Sequence, residues 1–353
     1  MQSKIKICLL APANSIHAQK IARSLGYDGY EVVVCTLHNA EIKDINIVYF
    51  PPVIPVLGKL INYILNISRI KKTIKNMKPD ILHAHYISTY GIIGYFVKYR
   101  PFVVSVWGTD IYERIKNPII NFFVRRTLAN ADAVLSNSKT MACHTRKFTN
   151  KKIYFTPFGV DLSNFFPAKK KDNARFVVGT ARRLAPIYGI KYLIEAFASF
   201  LKKAPCAKLL IVGDGPQKSE LIELAKKLEI GDSVLFLGFV HHPNVPEIVK
   251  QMDVFCMPSE REGFGVAALE AQACGIPVIA SNVGGLPEAI AQNKTGFLIE
   301  PKNPEAIAEK LLFFYSNPVA RKKMGREARK FVAKHYNWDE NIKIIENIYK
   351  NLL

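Results

Sequence analysis

Short runs of β-branched and aliphatic residues alternate along this chain with longer stretches of helical periodicity. In the first half, residues 5–10, 31–36, 45–50, 81–84, 102–106, 133–136 and 153–156 read as strands, with helical patterns between most of them. A polar, lysine-rich stretch, "SNFFPAKKKDNA" (163–174), reads as a linker. A second alternation follows, with strands at 175–180, 208–212, 234–237, 254–257 and 277–281 and helices near 191–203 and 217–228. "NPEAIAEKLLFFYSN" and "PVARKKMGREARKFVAKHYN" close the chain as helices with asparagine caps. Strand–helix alternation of this kind predicts mostly parallel, doubly wound sheets. Two α/β halves of this type, facing each other across a cleft, bind ligands beyond the carboxyl ends of their strands.

Composition supports two folded domains. At 353 residues the chain exceeds one typical core, and 49% hydrophobic with 22% charged residues is a globular balance. No segment supplies the ~20 apolar residues of a membrane span. The opening "KIKICLLAPA" is too short for a secretory core and reads as a first strand, which places the chain in the cytoplasm. The six cysteines show no CxxC or Cys/His spacing and read as buried, reduced thiols rather than metal ligands.

Charge changes the picture further. The formal net charge is +20; residues 1–170 hold 24 Lys and Arg against 9 Asp and Glu, leaving 25 against 20 for the rest. Between Asp44 and Asp80 there is no acidic residue, while Lys59, Arg69, Lys71, Lys72, Lys75 and Lys78 stand beside Leu57, Leu60, Ile61, Ile64, Leu65 and Ile67. This is the composition of a basic amphipathic helix, suited to an anionic membrane surface. The alternative is a core-packed helix with a solvated basic face.

The stretch "SEREGFGVAALEAQACGIPV" then places two glutamates around a glycine turn. "MDVFCMPS" before it reads as a buried strand, and a helix begins near Phe264–Gly265 and stops at Gly275. Glu262 therefore precedes a helix N-terminus, and Glu270 lies within that helix. The N-terminus offers unpaired N–H groups and partial positive charge, and Gly263 and Gly265 permit close approach of an anion such as phosphate. Carboxylates repel phosphate but accept hydrogen bonds from sugar hydroxyls. A nucleotide sugar satisfies both glutamates and the helix together; the alternative is a capping Glu262 and a surface Glu270.

Here the sequence resembles the retaining glycosyltransferases of family 4, which have the GT-B fold and an E-x7-E segment. "EGFGVAALEAQACGIPVIASNVGGLPE" carries the resemblance, and "DILHAHYISTYG", "VVSVWGTDI", "ADAVLSNS", "IYFTPFGVDLSNFFP", "LLIVGDGP", "VLFLGFV" and "TGFLIEP" follow the family order. The resemblance implies an acceptor-side domain at 1–165, a nucleotide-sugar-binding domain at 166–334, and a last helix at about 335–353 packed back on the first. It implies that Glu262 meets the donor sugar, that Gly263, Phe264 and Gly265 meet sugar and phosphate, and that Glu270 binds the ribose. Arg183 matches the arginine of a "GRL" segment that holds the diphosphate. Tyr188 stands where a lysine is expected, with Lys191 three residues on as a substitute. A glycine pair after the first strand is replaced by "APANSIH", where Asn14 and Ser15 offer donors. Trp107 replaces a histidine after the fifth strand, leaving Asp110 as the leading polar residue for the acceptor hydroxyl, with helix capping as its alternative. His83 and His85 are structural or functional on equal terms.

The implied reaction is transfer of a sugar, UDP-linked by default, with retention, and without metal or other cofactor. The charge distribution points to a lipid-linked or surface-polysaccharide acceptor, as in lipopolysaccharide synthesis, at the inner membrane face. An epimerase or phosphorylase on the same fold is the alternative enzyme. A nucleic-acid binder fits the charge but leaves the glutamate pair unexplained, so nucleic acid is not an expected partner. An NAD-dependent oxidoreductase lacks its G-x-G-x-x-G after the first strand.

Overall fold

The computed structural model describes residues 4–54, 56, 58–168 and 175–353. Leu57 and residues 169–174 of the expected linker lie outside them. The chain divides into two units: one runs to Phe158 and takes in Glu340–Leu353, the other spans Gly159–Asp339.

Unit 1 carries seven strands: β1 (Lys6–Leu10), β2 (Glu31–Thr36), β3 (Asn46–Tyr49), β4 (Ile81–His85), β5 (Phe102–Val106), β6 (Ala133–Ser136) and β7 (Ile153–Phe155). All are parallel, in the order β3-β2-β1-β4-β5-β6-β7. Every residue of β4 and β5 is buried, because helices cover both faces of a parallel sheet. Unit 2 carries β8 (Val177–Ala181), β9 (Lys208–Val212), β10 (Val234–Gly238), β11 (Val254–Met257), β12 (Val278–Ser281) and β13 (Gly296–Ile299). Its parallel order is β10-β9-β8-β11-β12-β13. In each sheet the chain first winds one way and then the other, so its direction reverses between β1 and β4 and between β8 and β11. Loops leave those strand ends in opposite directions and open a crevice at each.

The helices follow their apolar stripes. Helix Ile190–Leu201 buries Leu193, Ile194 and Phe197 in one core with Leu311 and Phe314 of helix Pro304–Ser316. Full burial of one such side chain stabilises the fold by about 1.5–3 kcal/mol. Asn303 caps Pro304–Ser316 by accepting from the Ala306 N–H. Asn317 does not cap the next helix, Pro318–His335; its amide donates back to the Phe313 carbonyl. In the last helix, Trp338–Lys350, Tyr349 is wholly buried in unit 1, its hydroxyl 2.5 Å from His83 Nδ1 and its ring against Tyr30.

Three features depart from the pattern reading. β13 is missing from it, because "GFLI" is too short to show a period and begins on glycine. Cys8, Cys35, Cys256 and Cys274 are buried, but Cys143 and Cys206 are exposed on polar helix and loop surfaces. The basic helix, Lys59–Met77, has an inverted first half. Asn62 and Asn66 face inward, where Asn62 pairs with both backbone groups of Ile54 and Asn66 donates to the Pro51 carbonyl. Ile61, Ile64 and Leu65 are turned out, 45%, 58% and 38% exposed.

Candidate active site

In unit 2 the loops that leave β8 and β11 meet at the crevice. The Glu260 N–H donates to the Ile187 carbonyl at 2.8 Å and stitches them together. The β11 loop turns through Glu262–Gly263–Phe264 into Gly265, whose φ of 99° is a conformation that favours glycine. Helix Val266–Ala273 starts there with no side chain capping its first turn. Phe264 is 2% exposed, its ring packed edge-on to Tyr336, so this residue presents backbone rather than side chain to the crevice. The loop after β12 presses on the turn from behind. Gly284 has φ 55°, and a Cβ there would lie 1.8 Å from the Glu262 carbonyl oxygen, so only glycine fits.

Each glutamate of this turn and helix has a side-chain partner. Glu262 Oε2 accepts from Arg182 Nη2 at 2.8 Å, and its Oε1 accepts from the Gly263 N–H at 3.1 Å. Arg182 Nη1 donates to Ser259 Oγ at 2.6 Å. The guanidinium lies 3.9 Å above the Tyr188 ring, so the tyrosine at the expected lysine position supplies a π face to a cation. Glu270 Oε1 is 2.8 Å from His242 Nε2, whose ring packs against Phe165. Lys191 holds its ammonium over Tyr192, and Tyr192 donates to Glu260, which also pairs with Lys302. Arg183 is exposed.

In unit 1 the loop after β1 carries Asn14, exposed, and Ser15, half-buried at the start of helix Ile16–Tyr27 without capping it. After β4 comes a π-helical turn, Tyr86–Gly91, with Tyr86 at φ 63°. Asp110 holds that turn to the loop after β5. Its carboxylate accepts from the N–H groups of Ile87 at 3.0 Å, Trp107 at 3.4 Å and Gly108 at 2.7 Å. Burial pushes its carboxyl above the usual range, while these backbone donors pull the other way. Asp110, the residue expected to meet an acceptor hydroxyl, is buried, and its oxygens accept from backbone amides that join the two loops. Trp107 sits among His85, Tyr86, Phe158 and His17. His83 bonds Ser105 Oγ and Tyr349 and is buried, as is His85; burial lowers the His83 pKa to about 3 and holds His85 well below its ordinary value.

Two family models match in succession: "glycosyl transferase 4-like" over residues 6–138 and "glycosyl transferases group 1" over 163–331. An uncharacterized glycosyltransferase of Methanocaldococcus jannaschii is 30% identical, the alignment covering 95% of this chain and 93% of that one. The chain belongs to the glycosyl transferases group 1 family. N-acetyl-alpha-D-glucosaminyl L-malate synthase of Bacillus anthracis is a 27% identical relative, over 90% of this glycosyltransferase and 84% of the synthase. Among solved structures, Anabaena HepE in complex with UDP and glucose superposes with a TM-score of 0.83 at 20% identity, over 99% of each chain. That likeness establishes the GT-B fold, two Rossmann-like domains.

The structure of this glycosyltransferase thus gathers Arg183, Lys191, Glu262, Gly263, Phe264, Gly265 and Glu270 on unit 2, and places Asn14, Ser15 and Asp110 on unit 1. Arg182, Ser259 and His242 escape the sequence reading. The doubled arginine of "TARRL" is a visible signal for Arg182, but nothing in the sequence says which arginine turns inward. Among the described residues no group of three or more His, Cys, Asp or Glu is placed to hold a metal ion.

Proposed function

We propose that this glycosyltransferase moves a sugar, with retention of anomeric configuration, from a nucleotide-sugar donor, UDP-linked by preference, to a lipid-linked or surface-polysaccharide acceptor at the inner face of the membrane. The observation that carries the donor half is the Glu262–Gly265 turn at the sheet crevice of unit 2. It offers a fixed carboxylate, an uncapped helix start and glycine backbone within one short loop. In this reading Glu262 accepts from sugar hydroxyls and Glu270 from the ribose. The backbone of Gly263–Gly265 approaches sugar and phosphate. As the bond from sugar to diphosphate breaks, negative charge grows on the leaving oxygen. The exposed guanidinium of Arg183 and the helix N-terminus stabilise that charge, and Lys191 contributes if it leaves the Tyr192 ring. A preorganised contact of this kind is worth roughly 10²–10³ in rate. The scheme calls for no divalent ion. The solved relative bound to UDP and glucose supports the choice of base.

The acceptor half rests on the outward apolar face of helix Lys59–Met77. Val53, Ile54 and Val56 in the preceding segment are exposed as well, and so are Arg69, Lys72, Lys75 and Lys78 on the helix and its end. Apolar side chains flanked by cations suit a bilayer of anionic headgroups, with each Lys or Arg near the surface adding roughly 1 kcal/mol. Among the described residues no helix is long and apolar enough to cross a membrane. The test of the donor half is binding and slow hydrolysis across UDP-, GDP- and ADP-sugars, with Glu270→Ala and Arg183→Ala alongside. One donor bound, hydrolysed and lost in both variants supports the reading; no donor bound defeats it. Sedimentation with anionic vesicles at low salt tests the acceptor half, and protein left in the supernatant counts against it.

A further inference from the structure

The side chain of Arg182 is built into the donor turn more firmly than a surface cation requires. It is 8% exposed, and its partner Glu262 is 16% exposed. Three contacts fix its head: Ser259 Oγ, Glu262 Oε2 and the face of Tyr188. Its backbone is fixed as well, because its N–H donates to the Val212 carbonyl and the next-but-one N–H, of Leu184, donates to Asp214. Rigidity is therefore transmitted from the β9 loop, through Arg182, to one carboxylate. With Gly263 N–H on the other oxygen, both oxygens of Glu262 have a set direction.

Two consequences follow from elementary electrostatics. A free carboxylate rotates, and a carboxylate beside a diphosphate repels it. The planar fork of an arginine removes the rotation, and its charge offsets the repulsion at short range. Each Glu262 oxygen still has a lone pair to spare for a hydroxyl. The tyrosine matters for the same reason: a lysine at 188 would place a second cation against the guanidinium, whereas the ring attracts it.

We infer that Arg182, braced by Tyr188 and Ser259, is a positioning residue that holds Glu262 for reading the sugar of the donor, and that it acts on the sugar half and not on the nucleotide half. This inference rests on the donor reading given above. Arg182 and Tyr188 form one device: Tyr188 stands where a lysine is expected, and the structure shows its ring in contact with the Arg182 guanidinium.

The experiment is calorimetric titration of three matched pairs, UDP and UDP-glucose, GDP and GDP-mannose, ADP and ADP-glucose. The pair the native protein binds is carried into Arg182→Gln, Arg182→Lys, Tyr188→Leu and Tyr188→Phe, with thermal melts alongside. The affinity gained by adding the sugar is expected to fall roughly 10- to 100-fold in Arg182→Gln, the range for a hydrogen bond to a charged group, while free-nucleotide affinity stays within about 3-fold. Arg182→Lys keeps one contact and recovers part of the gain. Tyr188→Leu weakens it, and Tyr188→Phe restores it, because the ring face and not the hydroxyl holds the cation. Should Arg182→Gln fail to fold, Arg182→Lys and the Tyr188 pair decide the matter. Equal weakening of nucleotide and nucleotide sugar overturns the inference and makes Arg182 a diphosphate ligand. An unchanged ratio in every variant overturns it and leaves a structural ion pair. Native protein that binds none of the six ligands overturns the donor reading itself.

Discussion

At the ends of β8 and β11 the side chains are polar, paired and part-exposed. At the ends of β4 and β5 aromatic rings and one buried carboxyl group are closed in. Arg182–Glu262 and His242–Glu270 hold the first region; Trp107, His85, Tyr86 and a buried Asp110 hold the second. The strand order of unit 2 reverses between β8 and β11, whereas in unit 1 it reverses between β1 and β4, so the second region lies at one side of its switch point. The glutamates of unit 2 keep lone pairs for a ligand, whereas Asp110 and His83 of unit 1 are buried and bonded within the fold. Substitutions in the two regions separate accordingly: unit 2 loses binding and turnover, unit 1 loses stability.

The largest effect falls on Asp110. Asp110→Ala strands the amides of Ile87, Trp107 and Gly108 in a buried site, and a loss of at least about 3 kcal/mol of stability is expected, from about 1 kcal/mol or more for each unsatisfied group. Urea unfolding measures it. A change below 1 kcal/mol, with turnover abolished, would make Asp110 a catalytic group and erase the contrast. Glu270→Ala is next. Donor affinity is expected to drop roughly 10- to 100-fold with an almost unchanged melting point, because its partner His242 is 35% exposed and readily hydrated. A fall in melting temperature equal to that of Asp110→Ala would break the comparison from the other side.

Acid sharpens it. His83 and His85 are buried neutral, so the unfolded chain binds protons more readily than the folded one. Their contribution is complete above 6.5, the ordinary imidazole pKa, and is lost as the pH falls from there, for His83 toward about 3, by about 1.4 kcal/mol per pH unit for a histidine protonated only in the unfolded chain. The two tryptophans report the units separately, Trp107 in unit 1 and Trp338 in unit 2. Trp107 fluorescence is expected to change at higher pH than that of Trp338 during acid titration; coincident transitions would count against it. The smallest effect lies on the outward helix face, where Ile64→Asp is expected to weaken retention on anionic vesicles roughly 3- to 10-fold, short of the 1.5–3 kcal/mol for burying a whole isoleucine.

Much of this was legible beforehand where the signal is local. Twelve of the strands announce themselves as apolar runs, and the Glu262 turn is readable because strand, glycines and helix follow each other directly. Contacts that join distant positions are not readable in that way. Arg182 and Glu262 are 80 residues apart, and His242 and Glu270 are 28 apart. The loop bonds of Asp110 are unreadable for the same reason: its donors are backbone amides, which carry no residue-type signature, and one of them lies 23 residues back. The helix Lys59–Met77 is visibly amphipathic, yet the inner face of its first half is set by Asn62 and Asn66, whose amides satisfy an irregular segment that no periodicity describes.

The return of the chain to unit 1 at Glu340 has a consequence for synthesis. A ribosome delivers every residue of unit 2 before it delivers Tyr349. Until then His83 lacks its hydroxyl partner and Tyr30 its neighbouring ring. Domains fold as units while they emerge, so the later unit is complete first and the earlier one waits for the final turns of helix. A premature stop just past Asp339 leaves unit 2 whole and wounds unit 1: the lesson for anyone trimming this chain is that the damage appears at the opposite end from the cut.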